Sequence, residues 1–177
     1  MKSAFLFSLC VLASTVFGCH GLQAVAVLKN DEGAHGVVTF DQPNNNGPTS
    51  IHAEVWGLPA GKHGFHVHEY GDLTQGCNST LAHYNPFNVT HGAPTDKIHH
   101  VGDLGNIESS GPDQAAVLDI TADFIHLQGD ISVLGRAILI HTGEDDLGRG
   151  NSPLSKTTGN AGGRFLCAVI GWAAPKQ

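Results

Sequence analysis

Short apolar runs alternate with turn-rich segments along this chain. Gln23–Lys29 (QAVAVLK), Gly36–Asp41 (GVVTFD) and Ile51–Trp56 (IHAEVW) are rich in Val and other strand-forming residues, and the turn signal NNNGP separates the second from the third. Gly64–His68 (GFHVH) alternates. A Gly-, Asn- and His-rich segment follows, from Glu69 to about Asn106, with almost no apolar periodicity. Strand-like runs resume at Ala115–Ile120, Phe124–Leu127, Ile131–Leu134 and Ala137–His141. After a second irregular stretch, Thr142–Gly163, the chain closes with Arg164–Trp172 (RFLCAVIGW). No heptad, helix-length amphipathic pattern, internal repeat or linker is present. The pattern predicts one all-β domain, an antiparallel sandwich or barrel of about eight short strands. Its anomaly is the two long loops. Structureless loops beyond about 12–15 residues are uncommon unless functional.

The first residues read as a targeting signal. Lys2 precedes an uncharged apolar run from Ala4 to Phe17, and Val16 and Gly18 suit the −3 and −1 positions of a signal-peptidase site. The run is too short for a membrane span. Residues 1–20 are therefore expected to be cleaved, leaving a domain of 21–177, secreted and without a transmembrane segment. Loss of Lys2 takes the formal charge from −7 to −8, which disfavours nucleic acid and acidic lipid as partners. Cys10 leaves with the signal, and Cys77 and Cys167 remain as a pair for which an oxidising compartment makes a disulfide the default. Cys19 stays free at the new N-terminus if cleavage follows Gly18, and is lost if it follows Cys19 or His20. Phe17 fits poorly with a lipoprotein reading of Cys19.

Twelve histidines turn attention to metals, since their positions decide between scattered surface residues and ligands. His66 and His68 flank Val67 on a strand, so both imidazoles project to one face. The first long loop holds His83, His91, His100 and Asp103, three imidazoles and a carboxylate that make a closed tetrahedral set suited to Zn²⁺. His141 ends a later strand run and joins His66 and His68 as nitrogen donors suited to Cu²⁺. The bland alternative is a cluster of solvated loop histidines.

The segments GFHVHEYGD (Gly64–Asp72), HYNP (His83–Pro86), HGAP (His91–Pro94), HVGDLGN (His100–Asn106), DDLG (Asp145–Gly148) and GNAGGR (Gly159–Arg164) resemble the signature blocks of the copper/zinc superoxide dismutases, in order and in spacing. The resemblance runs from about Leu22 to Ala173. It implies an eight-stranded Greek-key barrel with two functional loops, one copper and one zinc per subunit, and conversion of superoxide to oxygen and hydrogen peroxide through a Cu(II)/Cu(I) cycle. It assigns copper to His66, His68, His83 and His141, and zinc to His83, His91, His100 and Asp103, with His83 bridging and passing a proton. It makes Asp145 a carboxylate coupling His66 to His91, Arg164 the anion-guiding arginine, His63 structural, and Cys77–Cys167 the family disulfide. His99 is expected to be exposed and Asp146 to be a solvated acid, while His35, His52 and His126 carry no role.

The resemblance also implies a homodimer with contacts at Tyr70, Gly71, Ile170 and Trp172, although Trp172 is bulky for that place. In the second loop Asn151–Leu154 (NSPL) lacks the acidic pair of many relatives, while Arg149 and Lys156 are present. Two sequons, at Asn78 and Asn88, lie in the first loop and are candidate N-glycosylation sites. The rival readings are a secreted copper/zinc-binding protein of the same fold without turnover, and a zinc hydrolase, which would need an open zinc position.

Overall fold

The structure is a computed structural model and describes residues 21–44 and 47–174. The expected signal segment, with Cys10 and Cys19, lies outside the described residues.

Among the described residues ten strands form: β1 (Leu22–Lys29), β2 (His35–Gln42), β3 (Thr49–Trp56), β4 (Gly61–His68), β5 (Thr74–Cys77), β6 (Asp103–Ser109), β7 (Ala116–Ala122), β8 (Ala137–His141), β9 (Arg164–Val169) and β10 (Gly171–Trp172). Nine of them make two antiparallel sheets, ordered β10-β1-β2-β3-β7 and β6-β4-β8-β9. The neighbours β3–β7 and β4–β8 are not consecutive in the chain, as Greek-key connections require. Among the described residues the only helical pieces are single turns, at Asn78–Thr80 and Ser155–Thr158.

The sheets pack through alternating positions. On β3 every second residue is buried, with Ile51, Ala53 and Val55 inside and His52, Glu54 and Trp56 outside. Phe40 of β2, Phe65 and Val67 of β4, and Ile138 and Ile140 of β8 complete the centre of the core. Burying a side chain of this size contributes roughly 1.5–3 kcal/mol each.

Two expectations need correction. Phe124–Leu127 and Ile131–Leu134 are not sheet strands; they form a loop linked by one isolated bridge, His126 to Ser132. Their apolar residues Ile125, Leu127 and Val133 are buried in the core nonetheless. Hydrogen bonds to side chains stand in for a ladder. Leu127 N donates to Gln42 Oε1 at 3.0 Å, and Leu134 N to Ser132 Oγ at 3.1 Å. Conversely, β6 begins at Asp103, inside the stretch expected to be irregular up to Asn106.

The four-stranded sheet is unusual in its outer face. On β4 the six residues from His63 to His68 are all buried, and all five residues of β8 are buried. The two long loops, residues 69–102 and 142–163, cover this face. They bring polar groups onto a surface that would otherwise meet water.

Candidate metal centre

Strand alternation sets the first two donors. With Phe65 and Val67 in the core, His66 and His68 must point under the loops, where they are 0% and 1% exposed. Both flanking strand pairs are irregular at this level. The β4–β6 register shifts between Gly64 and His66, which brings His66 opposite Asp103. The β8–β9 register shifts between Ile140 and His141, which brings His141 opposite Arg164. Such bulges re-aim side chains. Gly64 is required here, because a Cβ would come within 2.8 Å of both Ala161 Cβ and His66 Cε1.

The donors fall into two groups sharing one ring. Ligand atoms of His66, His68, His83 and His141 lie within 4.8 Å of one another, as do those of His83, His91, His100 and Asp103. All seven residues are buried. The structure therefore brings together every residue expected to bind metal, and His83 belongs to both groups.

The outward nitrogens fix which atom of each ring faces inward. His66 Nε2 donates to Asp145 Oδ2 at 2.8 Å, and His91 Nε2 to Asp145 Oδ1 at 2.9 Å. His68 Nδ1 donates to Leu81 O at 2.7 Å, and His100 Nε2 to Val89 O at 3.1 Å. His141 Nδ1 faces Gly163 O at 3.1 Å and Gly162 O at 3.3 Å. A neutral imidazole has one N–H, so the opposite nitrogen of each ring presents a lone pair. Those lone pairs converge. Nδ1 of His66, His91 and His100 and Nε2 of His83 are buried without a hydrogen-bond partner. His68 Nε2 faces His141 Nε2 at 3.4 Å. His91 Nδ1 and His100 Nδ1 lie 2.9 and 3.2 Å from Asp103 Oδ1. Buried acceptors aimed at one another repel unless a cation lies between them, so the donor set fits two metal ions. The all-imidazole group suits copper, and the three imidazoles with one carboxylate suit zinc.

The protonation equilibria agree with this geometry. Burial, then the neighbouring His83, holds His66 down to about 3 despite Asp145. Burial and His83 likewise depress His68 and lower His141 to about 4. Burial also lowers His83, outweighing Asp103. His91 is the exception: burial opposes its charge, but the Asp103 and Asp145 carboxylates raise it to about 9, so in the metal-free protein a proton between His91 Nδ1 and Asp103 takes the place of the cation. Asp103 and Asp145 stay well below the ordinary carboxylate range, because the surrounding imidazoles outweigh burial. The carboxylates are thus anionic, and His66, His68 and His141 are neutral and ready to bind metal.

Further residues hold the frame. Asn106 closes the HVGDLGN block, and neither its composition nor its periodicity signals a role. Its side chain accepts from Asp145 N at 2.8 Å and donates to Asp145 O at 2.9 Å, which pins the shared carboxylate. Gly159 sits at φ 62°, and a Cβ there would overlap Asp145 Oδ1. His63, expected to be structural, is buried with its ring nitrogens 2.9 Å from His141 O and 3.0 Å from Pro59 O. Cys77 and Cys167 form a disulfide with Cα atoms 5.8 Å apart, closing a sequence separation of 90. Such a loop contributes about 4–5 kcal/mol in the chain-entropy model. Arg164 is half-buried and donates to Cys77 O at 2.7 Å.

Two surface expectations are corrected. His99 is not fully exposed; its ring meets Phe124 edge-on at 4.5 Å, and its Nδ1 lies 2.7 Å from His100 O. Asp146 is not a solvated acid; it accepts from Ser155 Oγ at 2.6 Å and Gly148 N at 2.9 Å. His52, His35 and His126 lie away from the cluster, paired with Asp119, Gly33 O and Gln42 respectively.

Residues 34–170 match the family model described as copper/zinc superoxide dismutase (SODC). Over 149 residues the chain is 52% identical to "Superoxide dismutase [Cu-Zn] 5" of Dictyostelium discoideum, covering 84% of this chain and 97% of that protein. The fold, the paired donor groups and these matches agree: the chain belongs to the copper/zinc superoxide dismutase family.

Proposed function

We propose that this protein is a secreted superoxide dismutase in which His66, His68, His83 and His141 hold copper, and His83, His91, His100 and Asp103 hold zinc. One observation carries the assignment: the inward lone pairs form two groups that meet at the two nitrogens of His83, Nδ1 2.9 Å from Asp103 Oδ1 and Nε2 without a protein partner. Overall, two superoxide anions and two protons give oxygen and hydrogen peroxide. Copper, when bound, supplies the one-electron exchange, and zinc supplies a fixed positive charge.

The chain's own residues do the rest. Arg164 attracts the anion and holds it at the cleft, where a local positive field outweighs the net negative charge. His83 is placed to carry a proton at Nε2 and deliver it to the reduced oxygen, since Asp103 occupies the other side of the ring. Asp145 holds His66 and His91 in the required orientation with one oxygen each. Burial of the rings excludes bulk water.

Secretion is supported by the N-terminal pattern expected to be cleaved at about residue 20 and by the disulfide. No helix among the described residues is long and apolar enough to cross a membrane. A homodimer fits the exposed Tyr70 and Trp172, at 48% and 51%. Ile170 is fully buried and supplies no contact surface. Asn78 and Asn88 are both exposed, as glycan acceptors would be.

The deciding experiment is superoxide decay by the purified, copper-loaded protein and by His141→Ala and Arg164→Ala. His141→Ala is expected to lose nearly all activity, and Arg164→Ala to lose part of it in a salt-dependent way. Full activity in His141→Ala would refute the copper assignment. Metal binding without superoxide decay in the unsubstituted protein would favour the binding-protein reading.

A further inference from the structure

Arg164 meets its surroundings through one turn. Nη1 donates to Cys77 O at 2.7 Å and to Thr80 Oγ1 at 2.8 Å, with Asn78 O farther off at 3.5 Å. Nη2 donates to Leu81 O. The carbonyls belong to the backbone and would be present with any side chain. The Thr80 contact is different, because a hydroxyl makes it. Thr80 is 0% exposed, and its hydroxyl also donates to Cys77 O at 2.8 Å. With its proton committed to that carbonyl, Oγ1 turns a lone pair towards the guanidinium.

We propose that Thr80 is a positioning residue for the anion site, its hydroxyl fixing the roll of the Arg164 guanidinium. A guanidinium has five N–H donors in a rigid plane. Cys77 O and Thr80 Oγ1 take both protons of Nη1, and Leu81 O takes one of Nη2. Two donors remain, on Nε and Nη2, and they are the ones left to a small anion with two oxygen atoms, such as superoxide. Without the hydroxyl, Nη1 keeps one strong acceptor, and the plane is free to rock about it. This inference rests on the reading of Arg164 as the anion-guiding residue.

The conformation of the turn supports a need for such a fastener. Leu81 lies at φ 57°, ψ −137°, a backbone region that favours glycine. Its carbonyl serves both Arg164 Nη2 and His68 Nδ1. A displacement of this turn would therefore disturb the arginine and a copper-group histidine together. The Thr80–Cys77 bond closes the turn from within, next to the disulfide. It also gives the third residue of the Asn78-Ser79-Thr80 sequon a structural use that does not depend on a glycan.

The test compares Thr80→Val, which keeps the volume and removes the hydroxyl, with Thr80→Ser, which keeps the hydroxyl. Both are made in a bacterial periplasm, where the disulfide forms and no N-glycan is added. The first readout is azide affinity of the copper-loaded protein, followed by copper EPR. Thr80→Val should weaken azide binding by about three- to tenfold, and Thr80→Ser should stay within about twofold of the unsubstituted protein. The second readout needs no copper: side-chain ¹⁵N NMR of Arg164 in the zinc-only protein. Its Nη1 protons should be resolved in the unsubstituted protein and in Thr80→Ser, and averaged in Thr80→Val. A Thr80→Val protein unchanged in either readout overturns the proposal. So do equal losses in Thr80→Ser and Thr80→Val, which would point to packing. If Thr80→Val does not fold, Thr80→Ala is judged by the same criteria. A missing copper signal in the unsubstituted protein would sink the metal assignment instead, and the NMR comparison would still decide the role of Thr80.

Discussion

Strands β3 and β4 are both eight residues long and both pack Phe-, Ile- or Val-sized groups into the same core, yet their other faces differ. On β3 the outer positions Ser50, His52, Glu54 and Trp56 are exposed. On β4 the outer positions His66 and His68 are buried under the loops. An antiparallel sheet needs only one covered face. When the second face is covered as well, the polar groups there must find partners or be costly. On β4 those partners are a carboxylate, a backbone carbonyl and a space between lone pairs. The same residue type, histidine, is thus an ornament of the surface on β3 and part of the chemistry on β4.

Removing the shared carboxylate breaks this contrast most severely. Asp145→Ala leaves His66 Nε2 and His91 Nε2 buried without acceptors, and metal affinity should fall about 10–100-fold, measured by competition with a chelator. Unchanged affinity would mean that the outward bonds do not orient the rings. Acid should have the next largest effect, on the metal-free protein. His66 and His141 are held at about 3 and about 4 against an ordinary 6.5, so the stability of their neutral forms is fully present above 6.5 and lost as the pH falls towards 4 and below. Asp103 and Asp145, also lowered, lose their contribution below about 4. His91, raised to about 9, acts oppositely, and its contribution fades between 6.5 and 9. Denaturant unfolding of metal-free protein should therefore show stability dropping from pH 6.5 to 4; a flat profile there would contradict the burial argument. The smallest change belongs to the open sheet. His52→Ala removes an exposed pair with Asp119 at 2.7 Å, and stability should change by less than about 1 kcal/mol, with activity unaltered.

The same contrast explains what could be read from the chain. The alternation of Ile51–Trp56 and the His66-Val67-His68 pair carry their geometry locally, because a period of two assigns faces without knowing the partner strand. The loop donors His83, His91, His100 and Asp103 were legible through spacing and family likeness, not through periodicity. Less visible was anything set by distant contact. Phe124–Leu127 and Ile131–Leu134 have strand composition, but Gln42 and Ser132 satisfy their backbone in place of a ladder. His99 looks like a surface neighbour of His100 until Phe124 arrives from another loop. Asp146 and Thr80 become structural only when Ser155 and Arg164 are brought to them across 9 and 84 residues of sequence.

Asp145 gives one hydrogen-bond acceptor oxygen to His66 and the other to His91. A rigid carboxylate shared in this way acts as a lever with an arm in each compartment. An ion that orients one of these rings would also settle the acceptor of the other, and any linkage that follows would run equally in both directions.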